Sequence, residues 1–117
     1  MSVAAYRQSI MDTASPRQLE RKVFQQVTLE LETATRNNDA LARIRAIDRN
    51  RRLWNTLIAD LADTENLFPD QLKAGLISLG IWVDKYSGQA LSTDRSLSPL
   101  VDVNRAIIQG LGAAPAA

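Results

Sequence analysis

A chain of 117 residues should bury about two-thirds of the surface its unfolded form exposes, enough for one hydrophobic core. Its 14 basic and 13 acidic side chains leave a net charge of +1, so no overall field draws it to nucleic acid or an anionic membrane, and any basic patch must be local. Cysteine and histidine are both absent, which excludes thiolate chemistry and disulfides and removes the commonest metal ligand and general base.

The elements, taken in chain order, all read as helical, because proline and glycine fall almost entirely where helices should begin or end. Residues 2–10 (SVAAYRQSI) make a short helix or an arm, with Tyr6 and Ile10 four apart on one side. SPRQ at 15–18 offers Ser15 as N-cap, Pro16 at the first helical position and Gln18 at the third, so a helix should start there. Leu19, Val23, Phe24, Val27, Leu31 and Ala34 then recur at three- and four-residue steps up to an NND turn at 37–39, which predicts one inward stripe.

The next segment, roughly 39–62, contains DRNRRLW, with three arginines in four positions beside an apolar face. At about 100° per residue, Ile44, Ile47, Trp54, Leu57, Ile58 and Leu61 share the inward face, and Arg45, Arg49 and Arg52 fall opposite it, where solvent is their natural environment. Asn50 and Arg51 are the anomaly. They project within the apolar sector one turn before Trp54, where a core helix would ordinarily continue with leucine or isoleucine.

After the loop DTENLF, Pro69 and Asp70 suit the opening of a helix to about Ala90, the acidic side chain favouring the positive end of the helix dipole. Leu72, Leu76, Leu79, Val83 and Tyr86 form its main stripe. Ile77, Ile81 and Trp82 add apolar surface outside that stripe, so LISLGIWV is hydrophobic nearly all round and predicts a central helix packed on several sides; a strand is the alternative, since IWV is β-prone, but length and spacing favour helix. Gly75 and Gly80 each cost about 1 kcal/mol against alanine inside a helix, which predicts close approach by a neighbour at both. SLSP at 96–99 then places Ser98 as N-cap and Pro99 at the first position of a last helix, with Leu97 stapling back near Val103. Leu100, Ile107 and Leu111 line one side of it with Asn104 between them, and GLGAAPAA should fray.

The expected fold is therefore all-α: a small helical bundle of four main helices plus a short N-terminal helix or arm. One domain should span 1–112, with 1–14 as the arm and 113–117 as a frayed tail. A buried amide without partners costs on the order of 1–3 kcal/mol. Asn50 and Asn104 are accordingly expected to lie together and fix the register of their two helices, with Arg51 reaching an acidic group or a helix C-terminus; the functional alternative is that they line a partner-binding groove. Tryptophan at helical spacing is usually core yet also a favoured interface anchor. Core suits Trp54, whereas Trp82, off the main stripe, suits an interface or a place under the N-terminal arm.

No glycine-rich phosphate loop, nucleophile elbow or inward acidic pair occurs, so no catalytic residue, metal or cofactor is expected, and a binding or regulatory module is. No apolar run approaches the roughly 20 residues of a membrane span and the N-terminus lacks the order of a signal peptide, so a cytoplasmic protein is expected.

The spaced set AYR (5–7), TASPRQLE (13–20) with VF (23–24), NRRLW (50–54), LKAGLISLGIWV (72–83) and L-x-x-VNRAIIQGL (100–111) resembles the FlaF family of bacterial flagellar biosynthesis regulators. The resemblance spans nearly the whole chain. It implies a cytoplasmic helical protein, not an enzyme, that binds flagellin in a chaperone-like way, governs its synthesis or secretion, and has a functional link to a companion regulator, FlbT. The matched positions are Tyr6, Arg7, Ser15, Pro16, Arg17, Asn50, Arg51, Trp54, Gly80, Asn104 and Arg105. Tyr6, Arg7, Arg51, Trp82 and Arg105 are the candidates for partner contact. Ser15, Pro16, Asn50, Trp54, Gly80 and Asn104 are the candidates for holding the fold.

The terminal segments of flagellin are long amphipathic helices, and an apolar groove between helices can accept such a helix through anchors at three- and four-residue spacing. The rival reading is direct binding to flagellin mRNA through the Arg43–Arg52 segment. It is the weaker one, because specific RNA recognition adds aromatic stacking platforms beside the charge and that polar face offers none. A third is a bundle that self-associates through exposed apolar surface.

Overall fold

The computed structural model describes residues 16–113, which form α1 (Pro16–Asn37), α2 (Ala40–Ala62), α3 (Asp70–Ser92) and α4 (Ser98–Ala113), with no strand among the described residues. The fold is all-α, a small helical bundle. The arm at 1–14 with Tyr6 and Arg7, the Ser15 cap and the tail beyond 113 lie outside the described residues, as do the side chains of Leu19 and Leu111.

Local chemistry sets the helix ends. α1 opens on Pro16, whose fixed φ and missing N–H suit the first turn. It closes at Asn37, and Asn38 follows with φ +50, the left-handed conformation that asparagine tolerates past a helix C-terminus. Asp39 then caps α2, its carboxylate accepting from the N–H of Leu41 at 3.0 Å and of Ala42 at 3.2 Å. α4 starts one residue earlier than its proline suggests. The carbonyl of Leu97 accepts the first helical bond, from Val101, and the hydroxyl of Ser96 accepts from the N–H of Ser98 at 3.1 Å. Ser98 is thus inside the helix and not its cap, because Leu97 is drawn fully into the core and turns the chain there.

α1 packs against both α4 and α2, and α2 packs in turn against α3. One core joins them, built from Phe24, Leu31, Ile47, Trp54, Leu57, Leu61, Val83, Leu97 and Leu100. α3 is consequently marginal, not central as its all-round apolarity predicts. It buries only Gly80, Val83, Ser87 and Ala90, and Leu72, Ile81, Trp82 and Leu91 stay exposed.

Two other apolar positions differ from expectation. Val23 is exposed because the seam of α1 runs through Phe24, Val27 and Leu31. Thr28 also enters that seam, its hydroxyl satisfied by donating to the carbonyl of Phe24 at 2.6 Å. Ile44 is exposed in an open cleft with Arg43, Leu91 and Thr93; the small Ala46 takes a buried place in that turn.

Arg43 ties the end of α3 to the start of α2. Its guanidinium Nη2 donates to the carbonyls of Ala90 at 3.1 Å, Thr93 at 3.4 Å and Arg95 at 2.6 Å, satisfying acceptors that a helix C-terminus leaves open. Arg43→Met keeps the aliphatic stem and removes the donors. It is expected to lower stability by about 1 kcal/mol, since water replaces part of the bonding, and to raise amide exchange selectively around 90–97; unchanged exchange there would remove the capping role.

Candidate functional site

At the centre of the bundle three polar side chains form a directed chain. Trp54 is almost fully buried, its ring edge-on to Phe24 of α1 at 5.6 Å and 89°. Its indole nitrogen donates to Asn104 Oδ1 at 2.9 Å, and Asn104 Nδ2 donates to Asn50 Oδ1 at 2.7 Å. Both asparagines have no exposed surface. The polarity is forced from one end: an indole can only donate, so Asn104 must turn its oxygen to Trp54 and its amino group to Asn50. Asn50 then answers with its oxygen. The two amides therefore meet directly, linking α2 to α4, as two amides set into apolar stripes require.

Each asparagine is followed by an arginine that reaches a flanking helix. Arg51 makes a two-nitrogen contact with Asp84 Oδ1 of α3, at 3.1 and 2.9 Å, and Arg105 pairs with Glu32 of α1. The Asn-Arg dipeptide thus works the same way twice. One residue turns inward, and the next, about 100° round the helix, projects to the surface and engages an acid on the adjoining helix. Such exposed pairs are worth on the order of 0–1 kcal/mol, so they orient neighbouring helices more than they stabilise them.

Gly80 is buried against α2: a Cβ there would fall 2.3 Å from Ile58 Cδ1 and 3.4 Å from Trp54 Cε3. Gly75 departs from expectation, since a Cβ there would meet nothing within 4 Å. It sits on the outer side of α3, where no other described helix approaches.

That outer side carries Leu72, Gly75, Leu79, Trp82 and Tyr86 at alternating steps of three and four, the spacing of a seam between two helices. Leu79 and Tyr86 are half-buried at its base, and Leu72 and Trp82, at 45% and 37% exposure, stand at its surface. Trp82 stacks on Tyr86 at 5.1 Å and 27°. The Tyr86 hydroxyl donates to the carbonyl of Ser96 at 2.6 Å, so the aromatic pair is anchored to the α3–α4 connection. Lys85 is exposed beside Trp82, and Arg95 lies 6.0 Å from the Tyr86 ring centre.

The three candidate partner residues among the described ones, Arg51, Trp82 and Arg105, are not brought together. Trp82 belongs to this outer strip. Arg51 meets α3 on its other flank, since Asp84 and Trp82 are about 160° apart on the helix. Arg105 lies across α4 at the edge of an open cleft with α1 that also includes Leu29 and Ile108. Two features carried no sequence signal: the Arg43 clamp, whose acceptors lie 47 to 52 residues away, and Ser87, an ordinary helical serine by spacing that proves fully buried.

A family model described as flagellar protein FlaF matches residues 2–111. The chain belongs to the FlaF family. No curated protein and no solved structure gives a significant match. Family membership makes this a flagellar protein, and the matched span takes in both Asn-Arg pairs, Trp54, Gly80 and the whole strip from Leu72 to Tyr86. Among the described residues no helix is long and apolar enough to cross a membrane.

Proposed function

We propose that this FlaF-family protein is a helix-docking module that takes a terminal amphipathic helix of flagellin against the outer strip of α3 and, through its occupancy, controls flagellin synthesis or secretion. The observation that carries the reading is the strip itself. A helix glycine costs about 1 kcal/mol, Gly75 gains no packing inside the bundle in return, and it is flanked by partly exposed Leu72, Leu79 and Trp82. A partner helix with apolar anchors at the same spacing would fill that notch and cover Trp82. The reading makes the protein a binder acting before flagellin leaves the cytoplasm, with neither catalysis nor a cofactor, and leaves FlbT as a functional link.

Direct RNA binding draws less support. Of the five arginines from 43 to 52, Arg43 is spent on carbonyls, Arg49 on Glu30, Arg51 on Asp84 and Arg52 on Asp48, which leaves Arg45 alone without such a contact among the described residues.

Gly75→Leu tests the docking face with little risk to the fold, because its side chain enters open space and leucine is the better helix former. The variant is expected to match or exceed the wild-type melting temperature while its affinity for flagellin falls at least tenfold in co-purification and titration. Wild-type protein that captures neither intact flagellin nor flagellin lacking one terminus would remove the proposal. Flagellin binding should change modestly between low and moderate salt; affinity for flagellin mRNA that is present and falls steeply over the same range would point instead to phosphate contacts and the RNA reading.

A further inference from the structure

We infer that a buried water molecule bridges Asn50 of α2 and Ser87 of α3 and completes the polar chain that begins at Trp54. The direction of that chain leaves Asn50 with its oxygen engaged by Asn104 and its amino group turned elsewhere. Asn50 Nδ2 and Ser87 Oγ are both fully buried, and neither has a hydrogen-bond partner among the described residues. Left bare, each would cost on the order of 1–3 kcal/mol.

The helix register places the two residues at one level of the same seam. α2 and α3 run antiparallel, with Ile58 against Gly80, Arg51 against Asp84 and Arg43 against Ala90. This register sets Asn50 opposite the turn of α3 that contains Ser87. Ser87 also differs from several helical hydroxyls of the molecule. Thr28, Thr35, Thr56 and Ser92 each donate to the carbonyl four residues back, whereas Ser87 does not, so its oxygen is free for the seam.

The chemistry fits water better than a direct bond. Asn50 Nδ2 donates, Ser87 Oγ both donates and accepts, and water can accept from the first and exchange a bond with the second. A buried water ordinarily holds two to four polar partners, about three on average, and Asn50 Oδ1 retains a second lone pair that can serve as the third. Such a water would hold the Asn50 amide in the one orientation that the Trp54–Asn104 bonds demand, and would couple α3 to the α2–α4 pair through hydrogen bonds.

A high-resolution crystal structure of the wild type and of Ser87→Ala tests this. The wild type is expected to show one ordered water within hydrogen-bond reach, about 3.2 Å or less, of both Asn50 Nδ2 and Ser87 Oγ. In Ser87→Ala, which favours the helix and should fold, that peak is expected to vanish or fall to less than half occupancy. In solution the cross-peak from the Asn50 side-chain amide to bound water should be lost in the same variant. A direct Asn50–Ser87 bond, a Ser87 hydroxyl folded back onto the Val83 carbonyl, or a water that keeps full occupancy without Ser87 would each overturn the inference.

Discussion

Asn104→Leu should destabilise the protein by about 3 kcal/mol, although leucine nearly matches the shape of asparagine and raises helix propensity. The loss arises from what is left behind. Without Asn104, the Trp54 N–H and Asn50 Oδ1 lose their partners in a region with no exposed surface, and each orphaned group costs on the order of 1–3 kcal/mol. For a chain of this size that is a fall of roughly 10 °C or more in melting temperature. Asn50→Leu alone should cost somewhat less, because the Trp54–Asn104 bond survives it and the groups deprived of a partner are the Asn104 amino group and, through the bridging water, the Ser87 hydroxyl. The double variant should be less destabilised than the sum of the singles by about 1–2 kcal/mol, the sign expected of groups in one hydrogen-bond network. Urea titrations of the four proteins measure this directly, and additive single effects would remove the network account.

The parts of the fold that were legible in the sequence depend on neighbours in the chain. Ser15-Pro16, the turn at 37–39, Pro69-Asp70 and Ser98-Pro99 mark helix starts and stops through backbone geometry, and they predict every described helix to within a few residues. The Asn50–Asn104 contact was legible for a different reason. An amide in an apolar stripe demands a partner, and there were two such amides. What could not be read was the order in which the helices stack. LISLGIWV is apolar on every side, which describes a helix enclosed by its own bundle and equally one with a face left for another molecule; the exposure of Ile81 and Trp82 separates the two, and it depends on how the other helices stack. Gly75 and Gly80 look alike in sequence for the same reason. One accommodates Ile58 and the other faces open space, and the difference depends on residues of α2 that the local pattern does not contain. In the sequence, therefore, only Trp82 marks the strip, and the spacing of Leu72, Leu79 and Tyr86 predicts core.

Trp54 joins all four helices, so truncating it should have the largest effect of any single change. Its indole meets Phe24 of α1, donates to Asn104 of α4 and lies where Gly80 of α3 closes on α2. Trp54→Ala removes that volume from a site walled by three other helices, and a large aromatic truncation in a core costs about 3–5 kcal/mol. A domain of this size holds on the order of 5–15 kcal/mol in all, so the variant should be close to unfolding at 37 °C. Trp54→Phe separates packing from hydrogen bonding. It keeps a ring against Phe24 and Gly80 but gives Asn104 Oδ1 no donor, and should cost about 2 kcal/mol, chiefly from that acceptor and the missing half of the indole. Trp82 is the other tryptophan of the chain and is partly exposed, so in both variants it reports alone in fluorescence. Helicity followed by circular dichroism should be lost on heating at the same temperature at which Trp82 emission changes, because α3 is fastened to the bundle through the same centre. A Trp54→Ala protein that melts within a few degrees of wild type would mean that the helices are held by their rims, by pairs such as Arg51–Asp84 and Arg105–Glu32, and not by the buried indole.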